Sequence, residues 1–506
     1  MATASDMLST IAVIAAIILL VKSILLLQQR WKFQQALKSF PEHPRGIPFL
    51  GHAKAFVDGA RGLLSDFDDI YDNNEKAMQV WMTPFDPAVV VYHPDSIRAV
   101  FTTAEPKSQT YRFLMPWLGD GLLLSTGKKW ARNRRLLTPA FHFDILKPYV
   151  KVYVESTNKL ANKWKEECAD SACSIEVMQD ISLATLDSLM RCVMGVEDDC
   201  QRMGRKHPYV NANYFLTEQV LMRFGSLLYQ SDTLYALSSN GRAFHQAAKT
   251  AHDFSEKAIR ERKQRLEHSN YDSSKERLRP FLDILLQAKD EDGVGLSDIE
   301  IRNEVDTFMF EGHDTTASGL SWIVYNLANH PELQERCRKE VDEVMEGKDD
   351  NDLEWNDLHQ LDYLTKFIKE SMRLYPPVGI VSRELKSSPL QLPDGRVIPK
   401  GATAFLHVNG LHRNPSVWED PLVFDPERFS KENSANRHSH AFTPFAAGPR
   451  NCIGQHFAMS EMKSFTAVLL RHVRFSPDRS KPVQRINETI LRSTTGIHVM
   501  VTPRDK

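Results

Sequence analysis

The stretch Phe445-Ala-Ala-Gly-Pro-Arg-Asn-Cys-Ile-Gly454 decides the fold of this chain. Cys452 lies in a loop of small residues, and a helix-like run from Gln455 to Phe465 follows at once. Gly448 and Gly454 carry no Cβ, so the backbone on both sides of the sulfur can approach a flat ligand closely. The N-terminus of the following helix and free backbone N–H groups favour a negatively charged sulfur. The loop is therefore predicted to present a thiolate to a planar, metal-containing group.

The pattern F-x-x-G-x-R-x-C-x-G in this loop resembles the haem-binding loop of the cytochromes P450. On that resemblance, Cys452 is the axial ligand of the iron in haem b, and its thiolate pushes electron density onto the iron and favours O–O cleavage. Arg450 would neutralise a haem propionate, and Phe445 and Gly448 would belong to the same haem-binding loop. The alternative is a buried free cysteine in a loop.

The composition is that of an ordinary globular protein, since 42% of the 506 residues are hydrophobic and 25% are charged. The formal net charge of −2 gives no electrostatic reason to expect a nucleic acid as partner. The six cysteines lack the spacing of a disulfide framework or a zinc site, which favours a reducing compartment.

The first thirty residues predict a membrane anchor. Met7 to Leu27 is almost entirely apolar and reaches the ~20 residues that a membrane span needs. Asp6 precedes this run and basic residues follow it, which by the positive-inside rule leaves the rest of the chain in the cytosol. A cleaved signal peptide is the alternative, but the run lacks a basic segment before it and a cleavage site after it. We expect residues 1–30 to be a retained anchor.

A proline-rich hinge at residues 31–52 is expected to orient a catalytic domain at residues 53–506, because Pro41, Pro44 and Pro48 stiffen the chain and block helix. From about residue 95 to 374 the pattern is mainly helical. One large, mainly α domain with a small β-rich region is therefore predicted. The strand-like runs are Met78 to Met82, Ala88 to Tyr92, Leu390 to Leu392, Val397 to Ile398, Ala402 to Val408 and Ile497 to Val501.

The second motif lies in a predicted helix from Glu304 to Trp322, which starts at a capping box, Ser297 to Glu300. Asp314 and Thr315 place a carboxylate before an alcohol, a suitable relay for protons. Thr315 can bond back to a preceding carbonyl and Gly312 tolerates distortion, so we expect a local opening of the helix that holds water. A polar stripe on a surface helix is the alternative. The stretch resembles the oxygen-activating helix of the cytochromes P450, which implies a haem between this helix and the cysteine loop.

Glu311 departs from the general family pattern, which has a small residue at this position. A buried, ionised carboxylate without a partner would cost several kcal/mol, and esterification would remove its charge. The string Phe310-Glu-Gly-His-Asp-Thr-Thr316 resembles the fatty-acid ω-hydroxylases, the fourth family of the cytochromes P450. That resemblance implies an ester between Glu311 and a haem methyl group. The alternative is a protonated or salt-bridged Glu311.

Three further residues match the family's E-x-x-R motif and its distal arginine. Glu370 and Arg373 are three residues apart on a helix that Pro376 ends, a weak signal by itself. Arg428 lies shortly before the cysteine loop. The resemblance implies that Glu370, Arg373 and Arg428 form a buried ion triad with a structural role.

Candidate partners for the haem propionates are Trp130 and Arg134, which share a helix face and match the family's W-x-x-x-R helix. Arg383, predicted on a strand after the prolines, joins them and Arg450 in the set of cations that the resemblance implies. The basic run around them could also face an acidic redox partner; its members are Lys128, Lys129, Arg132, Arg134 and Arg135.

The chain is thus identified as a member of the cytochromes P450. The resemblance implies an NADPH-dependent haem-thiolate monooxygenase that hydroxylates fatty acids or similar long chains at or near the methyl end. Electrons would come from the membrane-bound NADPH–cytochrome P450 reductase, with cytochrome b5 as a further candidate donor, at the cytosolic face of the endoplasmic reticulum membrane. A haem-thiolate isomerase or dehydratase and a non-catalytic haem sensor are the alternatives. The pair Asp314-Thr315 argues against both, since neither needs a proton relay.

Overall fold

The computed structural model describes residues 4–42, 51–52, 76–169, 171–226, 228–267 and 278–504. Most of this part of the chain is helical. The α-helices of six or more residues are α1 Ala4–Leu37, α2 Pro94–Phe101, α3 Gly127–Leu137, α4 Tyr149–Glu167, α5 Val177–Leu189, α6 Pro208–Phe224, α7 Asp232–Leu237, α8 Ser239–Glu267, α9 Phe281–Gln287, α10 Asp298–Asn329, α11 Pro331–Val344, α12 Asp362–Leu374, α13 Val408–Arg413 and α14 Gln455–His472.

The strands are short and form small sheets. They are β1 Ala77–Thr83, β2 Asp86–Val91, β3 Cys173–Glu176, β4 Ile380–Glu384, β5 Leu390–Gln391, β6 Val397–Ile398, β7 Thr403–His407, β8 Val473–Pro477, β9 Arg485–Asn487, β10 Leu491–Ser493 and β11 His498–Pro503. The larger sheets have the orders β1-β2-β7-β4 and β3-β11-β8, and β5–β6 and β9–β10 form two-stranded sheets. Strands β2 and β7 pair in parallel, whereas their outer neighbours are antiparallel. The predicted mainly α fold with a small β-rich region is confirmed.

Helix α10 is the central element of the helical domain. Its N-terminus is the predicted capping box, in which Ser297 and Glu300 satisfy each other's backbone N–H groups. The helix packs against α5 and α14 and is buried along most of its length. The helix runs without a break through Gly312. The Thr315 hydroxyl donates to the Glu311 carbonyl oxygen at 2.7 Å, so the predicted bond back to a preceding carbonyl is present, and the local opening stays a prediction.

Helix α1 carries the predicted anchor and continues past the expected boundary at residue 30. Its segment Ser9–Leu37 is long and apolar enough to cross a membrane. The last turns pack against the four-stranded sheet: the Arg30 guanidinium lies 4.8 Å above the Trp81 ring, and Leu37 is fully buried in the apolar cluster that contains Trp81.

The predicted hinge is therefore docked at its start, because side-chain packing holds residues 30–40 on the sheet. Phe40 is buried in the same cluster as Leu37, and its carbonyl oxygen accepts a hydrogen bond from the Gln79 side chain at 2.9 Å. The rest of the hinge, with Pro44 and Pro48, falls mostly in residues 43–50, outside the described residues, as do residues 53–75 at the start of the expected catalytic domain.

The predicted strands all fall within one or two residues of observed ones, but β3, β8 and the β9–β10 hairpin were not expected. All four strands are short. Strands β3 and β8 pair with β11, and β3 lies far from it in the sequence, whereas β9 and β10 pair with each other across a tight turn. The structure also joins Cys168 and Cys173 in a disulfide, which the interpretation of the cysteines did not predict.

Replacing Leu37 by Ala should release the end of α1 from the sheet, since removing a fully buried leucine costs about 2–5 kcal/mol. In membrane-embedded protein we expect trypsin to cleave after the neighbouring exposed Lys38 at least about tenfold faster. The control is Leu27→Ala, the same substitution at an exposed position of the same helix. Equal rates of cleavage in the two variants would show that the end of α1 does not pack stably on the sheet.

Candidate active site

Most of the predicted site residues meet at one large cavity of about 400 Å³ between α10 and the cysteine loop. Apolar side chains, such as Leu122, Phe308 and Phe310, form much of its wall. Gly448 and the predicted ion triad lie outside the wall. The predicted residues that line the cavity are Trp130, Arg134, Glu311, Asp314, Thr315, Arg383, Phe445, Arg450 and Cys452.

The cysteine loop is a tight turn that points Cys452 into the cavity. The Cys452 backbone N–H donates to the Phe445 carbonyl oxygen at 2.9 Å, and Ala446 adopts a left-handed conformation with a φ of 56°. The exposed surface of the thiol faces the interior cavity, so the group is still removed from bulk water. This burial, and then the carboxyl group of Glu311, raise the pKa of Cys452 to about 11, while the Gly454 backbone N–H opposes the shift. Only a strong positive partner, such as a metal ion, would keep this sulfur anionic at neutral pH.

The two glycines of the loop have different roles. Gly448 has a φ of 72°, and a Cβ there would lie 1.9 Å from the Phe101 carbonyl oxygen. Backbone packing against Phe101 therefore requires a glycine at this position, and the predicted role of Gly448 in clearing space for a ring stays a prediction. Gly454 does line the cavity, and a Cβ there would lie 3.9 Å from the Cys452 sulfur.

Two arginines bring positive charge to the cavity without a carboxylate to balance it among the described residues. Arg450 donates to the Ser125 carbonyl oxygen at 2.8 Å and lies 4.5 Å above the Trp130 ring. Burial, and then the charge of Arg383, lower the pKa of Arg450 to about 10. The Nε atoms of Arg383 and Arg450 are both buried without a hydrogen-bond acceptor. Buried donors are rarely left without an acceptor, so both side chains are placed to bind an anionic ligand.

Arg134, by contrast, is used within the chain. Its guanidinium donates to the backbone carbonyl and the side-chain oxygen of Asn451, at 2.9 and 2.7 Å. It therefore positions the residue before Cys452. A cation that was not predicted, Lys107, also lines the cavity, and its charge acts on both Glu311 and Cys452.

The central turn of α10 supplies the acidic groups of the cavity. Glu311 has no ion pair within the described structure, and burial raises the pKa of its carboxyl group, against a smaller opposing effect of Lys107. Asp314 is bound instead by Arg492 of β10, whose Nη2 donates to both carboxylate oxygens at 2.9 and 2.8 Å. Arg492 was not predicted, since it lies 178 residues from Asp314 in the sequence.

These features fit a haem. The Cys452 thiol faces the cavity as an axial ligand must, and the unsatisfied donors of Arg383 and Arg450 suit two propionates. Among the described residues no cluster of three His, Cys, Asp or Glu side chains offers another metal site.

Comparison with known proteins agrees with this geometry. The family model described as Cytochrome P450 matches residues 41–501. The chain belongs to the cytochrome P450 family. It is a haem-thiolate monooxygenase of that family, and membership implies a redox partner and a lipophilic substrate.

Similar proteins of this family cover nearly the whole P450. It is 45% identical to human cytochrome P450 4F12, over 92% of this chain and 90% of that relative. It is also 45% identical to a human ultra-long-chain fatty acid omega-hydroxylase, over 92% of this chain and 89% of the relative. Identity to mouse leukotriene-B4 omega-hydroxylase 3 is 42%, over 98% of this chain and 95% of the relative.

The E-x-x-R residues of this P450 lie outside the cavity and tie α12 to the segment before the cysteine loop. Arg373 binds both carboxylate oxygens of Glu370 at 2.7 Å, and both side chains are fully buried. Arg373 also donates to the carbonyl oxygens of His412, Pro421 and Val423. Arg428 is a weaker partner, with Nε 3.6 Å from Glu370.

The predicted basic face of this P450 is largely neutralised by its own carboxylates. Lys129 lies 2.6 Å from Asp120 and Arg132 lies 2.6 Å from Asp290. Arg135 is 3.8 Å from Glu291, in a pair that is mostly exposed. The run therefore presents less net positive charge to a redox partner than the sequence suggested.

Removing either unbalanced arginine should loosen the haem. We expect Arg383→Met and Arg450→Met each to lose about 1.5–3 kcal/mol of haem binding, which is one charge-assisted hydrogen bond, or roughly ten- to a hundredfold. Haem transfer to apomyoglobin measures this loss, in a Glu311→Ala background so that no covalent link holds the haem. Arg474→Met, at an exposed arginine of β8, is the matched control. Haem transfer at the control's rate would contradict the assignment.

Proposed function

We propose that this P450 hydroxylates long-chain fatty acids or related lipids at the terminal, or ω, carbon. The observation that carries the proposal is the carboxyl group of Glu311, which stands in the wall of an apolar cavity without an ion pair among the described residues. Two relatives are named for ω-hydroxylation, one of ultra-long-chain fatty acids and one of leukotriene B4. The proposal extends that activity to this chain.

Bound haem supplies the activation of O₂ and the attack on a C–H bond. The chain's own residues would hold the group in place: Cys452 by its thiolate, and Arg383 and Arg450 by charge-assisted hydrogen bonds to the propionates. The ring of Trp130 packs against the Arg450 guanidinium, and Arg134 holds Asn451, the residue before Cys452, by hydrogen bonds.

Asp314 and Thr315 are the groups that move protons. The Thr315 hydroxyl donates its hydrogen to the Glu311 carbonyl oxygen, so the lone pairs of the hydroxyl oxygen can accept a hydrogen bond from a water molecule. Asp314 lines the same cavity one residue away and has the ionisable oxygens that a relay needs.

Glu311 forms an ester with a haem methyl group in this proposal. The ester would replace the O–H bond of Glu311 and one C–H bond of the methyl group by a C–O bond, and the two electrons and two protons released would be taken up when O₂ is reduced, with NADPH, to two water molecules. Burial already disfavours the charged carboxylate, as its raised pKa indicates, and the ester removes the charge altogether.

The ester explains how the terminal carbon is reached. Methyl C–H bonds are stronger than those of the neighbouring methylene, so ω attack requires positioning that overcomes intrinsic reactivity. Phe308 and Phe310 of α10 line the cavity beside Glu311, so a haem held by that residue would leave a rigid, apolar approach for the end of a chain.

We also propose a membrane location and redox partners for this P450. Residues 1–30 anchor the protein in the endoplasmic reticulum membrane, and the catalytic domain faces the cytosol. NADPH–cytochrome P450 reductase delivers the electrons there, and cytochrome b5 is an additional donor. The apolar segment of α1 and the basic residues after it support this orientation.

The activity is tested with full-length enzyme, the reductase and NADPH, and a panel of saturated fatty acids from ten to twenty-six carbons. We expect mainly ω-hydroxylated product for at least one chain length, identified by mass spectrometry. A matched panel of ring-containing, drug-like compounds is the control. Turnover of the control panel without any fatty-acid product would refute the proposed function.

The Glu311→Ala variant tests the attachment of haem to Glu311 and the positioning of the substrate chain by two separate measurements. Acidic organic solvent should extract all haem from this variant but leave part of it on the wild type after turnover. The product should shift from the ω towards the ω−1 carbon while turnover continues. Glu311→Gln, which has the same length but no carboxyl group, should behave like Glu311→Ala. Complete extraction of haem from the wild type would refute the ester, and an unchanged product ratio would refute the positioning role.

A further inference from the structure

A fully buried carboxyl group on α10 binds a loop rather than a cation. Glu304 lies seven residues before Glu311, and so about 10 Å from it along the helix axis. Its Oε2 accepts a hydrogen bond from the Leu122 backbone N–H at 2.9 Å, and its Oε1 accepts one from the Asn133 side-chain amide at 2.8 Å. One side chain thus joins three elements: α10, α3 and residues 119–125, here called the 119–125 loop.

The 119–125 loop lies directly on α10. A Cβ at Gly121 would lie 2.6 Å from the Thr307 hydroxyl oxygen and 2.8 Å from the Asn303 carbonyl oxygen, so only a glycine allows this approach. The Asn303 side chain also donates a hydrogen bond to Asp120 at 3.0 Å. Glu304 therefore acts together with a close backbone contact, and both hold the loop against the same stretch of helix.

The 119–125 loop connects the cavity wall to an arginine of the haem site. Leu122 and Leu123 line the cavity. The Ser125 backbone N–H donates to the Gly121 carbonyl oxygen at 2.8 Å, which closes the loop into a tight turn, and the Ser125 carbonyl oxygen accepts from Arg450 at 2.8 Å. The two leucines are therefore held in a fixed position relative to Arg450.

The two leucines also face the part of α10 that carries Glu311. Glu304, Phe308 and Glu311 follow one another at spacings of four and three residues, so they share one face of the helix. Phe308 and Glu311 line the cavity together with Leu122 and Leu123. Attack at the ω−1 carbon of a chain requires the terminal methyl group to bend into the space beside that carbon. A fixed apolar wall that fills this space disfavours ω−1 attack and leaves ω attack possible.

We propose that Glu304 is a positioning residue for the choice of the terminal carbon, and that it acts by holding Leu122 and Leu123 as a fixed wall of the cavity. The inference rests on the proposed function, since it concerns which carbon of a long-chain lipid is hydroxylated. Glu304 does not itself line the cavity, so it acts only through the 119–125 loop. This determinant is separate from the ester of Glu311, because hydrogen bonds within the chain hold the wall.

The ratio of ω to ω−1 product tests this role in full-length, haem-loaded enzyme with the panel of saturated fatty acids. Glu304→Leu keeps the size of the side chain but removes both acceptors, so the loop should loosen. We expect the ratio to fall about tenfold, the discrimination that one methylene provides in an apolar pocket, while turnover continues. Glu340→Leu is the matched control: Glu340 accepts from the backbone N–H groups of Tyr363 and Leu364, none of which lines the cavity, and its loss should leave the ratio unchanged.

Glu304→Gln separates the hydrogen bonds from the charge. Burial raises the pKa of Glu304 to about 7, so the site already tolerates a neutral group. The amide oxygen of the glutamine can accept from the Leu122 N–H, and its NH₂ group can donate to the Asn133 side-chain oxygen, which accepts no hydrogen bond from the described residues. We expect this variant to keep the wild-type ratio. A ratio as low as that of Glu304→Leu would overturn the role of the hydrogen bonds.

Two further variants test whether Glu304 acts through the wall. Gly121→Ala places a Cβ against α10, which should lift the loop and lower the ratio in the same direction. In a Leu122→Ala, Leu123→Ala background, Glu304→Leu should change the ratio little further, because the wall that it holds is already gone. If Glu304→Leu fails to bind haem, Gly121→Ala takes its place in both comparisons.

An unchanged product ratio in Glu304→Leu, or a full shift that persists without the two leucines, would overturn this positioning role and leave ω-hydroxylation standing. Greater extraction of haem from Glu304→Leu than from the wild type would also overturn it, because the shift would then follow from loss of the ester. A wild type that forms no ω-hydroxylated product from any fatty acid of the panel would overturn both proposals.

Discussion

Charged groups buried without partners are costly, yet this chain gathers several of them around one apolar cavity. Arg383 and Arg450 bring positive charge with donor atoms that the described chain does not satisfy. Across the same space stand the Cys452 thiol and the Glu311 carboxyl group, both with a pKa raised by burial. We propose that a bound haem would satisfy these groups together, because its propionates would accept hydrogen bonds from the two arginines and its iron would bind the sulfur as thiolate. The polar groups of the site are therefore satisfied only when a ligand is bound. The surrounding fold must hold these groups in place.

The elements around the cavity supply that rigidity. Helix α10 crosses the core as a regular helix and carries Glu311, Asp314 and Thr315 at fixed spacing. Glu370 and Arg373 form a fully buried pair on α12. Arg373 also binds three carbonyl groups in residues 412–423, the segment that precedes the cysteine loop. Removing one partner of such a pair leaves an uncompensated buried charge, which costs about 3–5 kcal/mol. The pair thus stabilises the loop's surroundings without touching the cavity.

The sequence predicted the parts of the site that local patterns encode. The cysteine loop, the capping box of α10 and the strand runs before and after the helical region depend on neighbouring residues. The hydrogen bond from Thr315 to the Glu311 carbonyl could also be predicted, because it joins residues four apart in one helix. The packing of Gly448 against the Phe101 carbonyl oxygen was not predicted, because Phe101 lies far away in the sequence.

Contacts between distant segments could not be predicted from one sequence. Arg492 sits in a short hairpin with no chemical motif, and only the folded chain brings it to Asp314. Lys107 and the docking of α1 on Trp81 are of the same kind, as is the pairing of the basic run with its own carboxylates. Tertiary geometry, rather than residue type, decides these roles.

The carbon-monoxide difference spectrum of the reduced enzyme tests the central claim, that Cys452 binds the haem iron as a thiolate. Cys192 is the matched control, because it is the other free cysteine that lines the cavity among the described residues. Wild type and Cys192→Ser should both show the thiolate-type Soret band, and Cys452→Ser should lack it, since a hydroxyl is a far poorer anion at neutral pH. A thiolate-type band that persists in Cys452→Ser, or disappears in Cys192→Ser, would contradict the account.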